Sequence, residues 1–129
     1  MQTKRVAQAT AQVLQSYLTY QALRTIQTEL SETNPPQAIW LGHYASSHNL
    51  QDGEAFLEEL LGVNKELVLR ILKVREYLAE TVLDFLPALV REGIAQANTE
   101  HRRHLLERLT QTLPEPPSGE SDGDDAVPS

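Results

Sequence analysis

Side chains that could carry out chemistry are few in this chain and thinly spread. Four histidines stand at His43, His48, His101 and His104, and cysteine is absent. Without a thiol there is no disulfide framework, no thiol nucleophile and no cysteine-ligated zinc or iron–sulfur centre. His101 and His104 are three residues apart with Glu100 beside them, so one helix face would carry all the elements of a weak metal site. The expectation for all four histidines is nevertheless a solvated surface. The Glu-x-x-His pairs of a di-iron bundle are missing. No glycine-rich phosphate loop, serine elbow or zinc-protease helix motif occurs. The carboxylates are scattered, and no two form a pair marked for acid–base work. The expectation is a protein that is not an enzyme, with no cofactor and no metal.

Two other groups have more to offer. Arg102, Arg103 and Arg108 form the one local excess of positive charge. They suit either the cation-rich last turn of a helix, complementing its dipole, or a patch facing an acidic partner. Tyr17 and Tyr20 are neighbours at helical spacing. They suit a binding surface, where the ring is apolar and the hydroxyl stays wet, or equally a core or a dimer interface.

The rest of the chain must position these groups. It has 129 residues, enough for one domain, with 11 Lys+Arg against 18 Asp+Glu and a formal charge of -7. That balance argues against a nucleic-acid coat protein, which needs a basic footprint; three clustered arginines leave a helical nucleic-acid regulator only as the weakest reading. No charged start followed by an apolar run opens the chain, and no apolar stretch is long enough to span a bilayer. The cytosol is the expected compartment, with neither nucleic acid nor membrane as a partner.

Leucine occurs 20 times and alanine 12 times, while valine and isoleucine together reach only 12. Leucine and alanine favour helices, so the predicted class is all-α. Residues 113–129, LPEPPSGESDGDDAVPS, hold four of the seven prolines and five acids with no base. Such a stretch buries too little apolar surface to offset its ordering entropy and is expected to be a disordered, solubilising tail. Residues 1–112, the expected helical domain, keep 13 acids and 11 bases and are nearly neutral.

The stops within that domain predict four helices. The first runs from about Thr3 to Ser31, ended by Asn34-Pro35-Pro36. Thr33 or Asn34 can cap the second, which fades near Ser47. Asn49 with Asp52 resembles a capping box for the third, and Gly62 suits its C-cap. The fourth starts near Asn64 and keeps helical spacing through Leu67, Ile71, Leu78, Val82, Leu86 and Leu89. If unbroken to Ala97 it spans roughly 50 Å, longer than a compact domain of this size, and its far apolar face needs another chain. Pro87 leaves two readings open, a kinked continuous helix or a break; Gly93 and Asn98-Thr99 are further weak points, after which Glu100 to Gln111 reads as helical again. In the first helix Ala7, Ala11, Leu14, Leu18, Ala22, Ile26 and Leu30, flanked by Val6, Val13, Tyr17 and Tyr20, cover an apolar arc of roughly 240°. A surface helix needs little more than 100°, so the surplus must meet a partner, a ligand or more of the same chain.

Several runs taken together resemble the RbcX family, assembly chaperones of the RuBisCO large subunit. They are LQSYLTYQA at 14–22, LSETNPPQAIWLG at 30–42, NKELVLRIL at 64–72, LDFLP at 83–87 and HRRHLLERLTQ at 101–111. The resemblance covers essentially residues 1–111. It implies an all-helical, arc-shaped homodimer in which three shorter helices and part of a long bent fourth helix form a bundle. The long helices of the two protomers would pair antiparallel. It implies an ATP-independent chaperone that grips an extended, aromatic-bearing segment near the C-terminus of the large subunit. The chaperone would stabilise large-subunit dimers and promote the octameric core until small subunits displace it. A role in photosynthetic carbon dioxide fixation and a place beside the carboxysome go with that reading.

The resemblance also implies site residues. The peptide groove falls on Tyr17, Tyr20, Leu50 and Gln51, the last two at the start of the third helix, with Leu50 where related sequences carry Ile. Rim contacts to the folded large subunit fall on Glu29, Glu32, Thr33, Asn34, Arg70 and Arg102, and some relatives carry Gln at the position of Glu29. Other readings stand beside these. Arg70 could pair only with Glu66 on its own helix, and Thr33 and Asn34 could be only a cap. The chain could also be a general helical dimeric adaptor for another amphipathic segment.

Overall fold

A computed structural model of the protein describes residues 1–112; the expected acidic tail at 113–129 lies outside the described residues. Among the described residues there are four α-helices and no strand, as the leucine- and alanine-rich composition predicts. They are α1 (Gln2–Thr33), α2 (Pro35–Ser46), α3 (Gly53–Leu61) and α4 (Lys65–Thr112). The chain divides into two units, Met1–Asp84 and Phe85–Ser129.

The first unit holds the core. Ala22, Leu23, Ile26 and Leu30 of α1 meet Ala38 and Leu41 of α2, Phe56, Leu57 and Leu60 of α3, and Leu67, Val68 and Ile71 of α4. Every helix contributes residues three or four apart, one stripe each. Thr19 is the one polar residue buried among the described residues. Its hydroxyl donates to the Gln15 carbonyl at 2.8 Å and accepts from the Arg75 guanidinium at 3.0 Å, so it carries no unmet hydrogen bond. Arg75 also pairs with Glu54 at 2.6 Å and ties α4 to both α1 and α3.

Short polar residues set the corners. Asn34 serves two helices: its N–H donates to the Leu30 carbonyl at 2.7 Å, and its side chain accepts from the Gln37 N–H at 3.4 Å. Pro35 and Pro36 fill the first turn of α2, where no N–H is needed. The third helix begins later than the capping box predicted. Asp52, not Asn49, is its N-cap and accepts from the Ala55 N–H at 3.2 Å. Asn49 instead accepts from the Gln51 N–H at 2.9 Å, closing a local turn that competes with the helix. Leu50 and Gln51 therefore sit in the connection before α3, not on its first turn. Gly62 follows α3 with φ -72°, an ordinary right-handed conformation, so the left-handed form that glycine permits is not used. Asn64 caps α4 by accepting from the Leu67 N–H at 3.1 Å.

Pro87 lies inside α4, which continues through it to Thr112 and decides between the two sequence readings in favour of a continuous helix. The described part of the second unit is the later stretch of this helix. Its apolar residues Phe85, Leu89, Ile94, Leu105 and Leu106 are each more than half exposed. Arg103 bridges Glu100 at 2.7 Å and Glu107 at 2.9 Å on the same helix.

Candidate functional site

The middle of α1 and the connection between α2 and α3 enclose a shallow depression of about 360 Å³. Val13, Ser16, Tyr17 and Tyr20 form its α1 side, and Leu50 and Gln51 close it from the connection. The structure thus brings together the four residues that the resemblance assigned to a groove. Tyr17 is 56% exposed and Tyr20 38%, so neither belongs to the core of its own chain. The physical reason is helical phase. The buried residues of α1 are Leu18, Thr19, Ala22, Leu23, Ile26 and Leu30, and the two tyrosines fall on the flank of that stripe. Ser16 is an addition to the site that sequence reasoning missed, and Val13, already placed beside the tyrosines on the surplus face, joins it; each lies four positions before a tyrosine and so shares its face.

Two anchors hold the connection against α1. The Gly53 N–H donates to the Ser16 hydroxyl at 3.2 Å. Gly53 also allows a close approach: a Cβ there would lie 3.1 Å from Thr19 and 3.3 Å from the Ser16 backbone. At the other end His48 is half-buried, which corrects the expectation that all four histidines are solvated. Its ring stacks on Tyr44 with centroids 3.9 Å apart and meets the edge of Phe56 at 6.5 Å. The Nδ1–H donates to the Tyr44 carbonyl at 2.7 Å, leaving Nε2 facing Glu59 at 4.0 Å. Burial, and secondarily the charge of Glu59, push the Tyr44 phenol above its ordinary value. This aromatic clasp fixes where the chain leaves α2 and hence where Leu50 points back to Tyr20.

Four of the proposed rim residues form a second cluster, at the end of α1. Arg70 donates to Glu29 at 2.9 Å, with both side chains about half exposed. It therefore pairs across to α1 and not with Glu66 on its own helix. The Thr33 hydroxyl donates to the Glu29 carbonyl at 2.9 Å, and Asn34 caps α2. Glu32 is exposed on the same helix end. Arg102 is exposed on the later part of α4, with no charge partner among the described residues.

Other depressions offer less. Two of them, of about 540 and 580 Å³, are both lined by Gln15 and Glu54. The cation lining the first, Arg75, is already held by Glu54 and Thr19. His101 and His104 line a depression of about 330 Å³ with Leu105 and Arg108. Among the described residues no three His, Asp or Glu side chains converge as a metal would require. No described helix is long and apolar enough to cross a membrane.

The described residues thus form an all-α, four-helix protein with an aromatic-walled depression open to solvent. The chain belongs to the RbcX family, whose description as RbcX protein it matches over residues 1–111. It is 62% identical to the RuBisCO chaperone RbcX of Synechocystis sp., covering 100% of this chain and 99% of that protein. It is 57% identical to the RuBisCO chaperone RbcX of Picosynechococcus sp., over 95% of this chain and 96% of that one. A crystal structure of RbcX in complex with substrate is 60% identical and superposes with a TM-score of 0.80, covering 85% of this chain and 99% of that one. The family's named members are chaperones, and this chain is a non-enzymatic member of it.

Proposed function

We propose that this protein is an ATP-independent assembly chaperone for RuBisCO. It acts as a homodimer that holds the extended C-terminal segment of the large subunit. The observation that carries this reading is the depression where Tyr17, Tyr20, Leu50 and Gln51 meet. Its walls are mainly apolar and aromatic, and it is open along the surface. An extended chain presents alternate side chains to one side, so aromatic residues spaced two apart suit such a surface. The rim residues Glu29, Glu32, Thr33, Asn34, Arg70 and Arg102 then contact the folded body of the large subunit. Charges at a rim set orientation and partner choice more than affinity. Holding the large subunits stabilises their dimers and promotes the octameric core, until small subunits displace the chaperone. The protein works in carbon dioxide fixation, in the cytoplasm and beside the carboxysome. Residues 1–112 are the chaperone domain, and the acidic segment 113–129 is accessory.

Support for the dimer comes from exposed apolar surface. Val6 and Val13 of α1 are 64% and 71% exposed, and the apolar row of the later α4 lies open. Isolated chains seldom leave so much leucine and phenylalanine wet. A titration tests the whole reading. A peptide copying the C-terminus of the RuBisCO large subunit should bind the dimer, and replacing its aromatic residues by Ala should abolish binding. Equal binding of both peptides would refute the groove.

A further inference from the structure

Tyr20 and Leu50 border two depressions, not one. Besides the 360 Å³ depression at Tyr17, they line a second of about 260 Å³ on the side of α2. Its other walls are Leu23, Arg24, Gln27, Gly42, Ala45 and Ser46. Two of its polar groups are already engaged. The Gln27 amide donates to the Ala38 carbonyl, and the Ser46 hydroxyl donates to the Gly42 carbonyl at 2.8 Å. Arg24 is different. Its guanidinium carbon lies 5.9 Å from the centroid of the Tyr20 ring. It has no carboxylate partner among the described residues, whereas Arg70, Arg75 and Arg103 each have one. A guanidinium resting on a ring face keeps its N–H donors for a ligand, and its fork matches a carboxylate.

We propose that this second depression is a carboxylate-selective subsite for the same extended peptide, with Arg24 as the residue that reads the acid. The inference rests on the peptide-holding function above and specifies part of its substrate class. Alternate side chains of an extended chain project to one side about 6.6 Å apart. Two depressions that share the single Tyr20–Leu50 wall therefore receive residues i and i+2. An aromatic side chain enters beside Tyr17, and a Glu or Asp two positions away reaches Arg24 over the apolar floor of Leu23 and Ala45.

The test compares two short synthetic peptides that carry the same aromatic residue and differ only two positions away, Glu in one and Gln in the other. Fluorescence polarisation with the full chain should show the Glu peptide binding about tenfold more tightly, the gap closing as salt is raised. Arg24→Gln should lose this preference while binding the Gln peptide as the unaltered protein does, and Arg24→Lys should recover part of it. Equal weakening of both peptides by Arg24→Gln would mean that Arg24 only steadies Tyr20, and would overturn the subsite. An unaltered protein that binds aromatic peptides but ignores the acid would overturn it too, without any variant having to fold. If the unaltered protein bound no aromatic peptide at all, the groove itself would fall and the subsite with it.

Discussion

At Tyr20 one ring separates two depressions, supports Arg24 on its face and remains 38% exposed. Its removal should act on binding with little effect on the fold, because none of the buried core depends on it. Tyr20→Ala is expected to lose about 2 kcal/mol or more of peptide affinity, the range of a central aromatic contact. Circular dichroism and sedimentation should show an intact helical dimer; dissociation would make Tyr20 structural. Arg102 has the opposite profile. It is exposed, without a charge partner among the described residues, and absent from the depression at Tyr17. Arg102→Ala should leave peptide affinity unchanged and reduce the yield of assembled large subunits in a reconstitution. An undiminished yield would remove it from the rim. The resemblance supplied the roles of both residues. Their chemistry alone left the tyrosines divided between core, dimer and site, and only their exposure removes the first.

At the scale of elements, the glycines separate close packing from open helix. A Cβ at Gly53 would press on Thr19, which is itself locked by Arg75, and on the Ser16 backbone. Gly53→Ala should therefore destabilise the protein by about 1–2 kcal/mol, as over-packing does, and should shift Leu50 and Gln51 with it. Chemical denaturation measures the first effect and weakened peptide binding the second. Gly93 meets nothing within 4 Å. If the proposed partner protomer also leaves room there, Gly93→Ala should stabilise by about 0.5–1 kcal/mol and raise the denaturation midpoint; a lowered midpoint would place Gly93 in the dimer interface. The boundaries of α1 and α2 could be read from Asn34-Pro35-Pro36, because the cap and the prolines act locally. The start of α3 could not. Asn49 and Asp52 are both capping residues, and the choice between them depends on Gly53 docking against Ser16, 37 positions away.

At the scale of the molecule, apolar surface is the controlling quantity. The first unit buries a closed core, while the described helix of the second exposes Phe85, Leu89, Ile94, Leu105 and Leu106. If the proposed dimer covers this row and the N-terminal half of α1, folding is coupled to association. The thermal midpoint should then rise with protein concentration, as for any equilibrium in which the folded state is the associated one. A concentration-independent midpoint together with a monomeric mass would refute the dimer.

The sequence by itself determined the all-helical class, most helix ends and the surplus apolar face of α1, because periodicity and capping are local properties of the chain. It also left Pro87 undecided, since local cost argues for a break and only the structure shows α4 running through it. Tertiary structure alone decided that Glu29 takes Arg70, that His48 stacks on Tyr44, and that Leu50 faces Tyr20. The Arg70 and Leu50 contacts join residues far apart in the chain, and the stack at His48 also needs Phe56 of another helix at its edge. Which contacts form depends on how the helices pack, and no spacing within one helix encodes that.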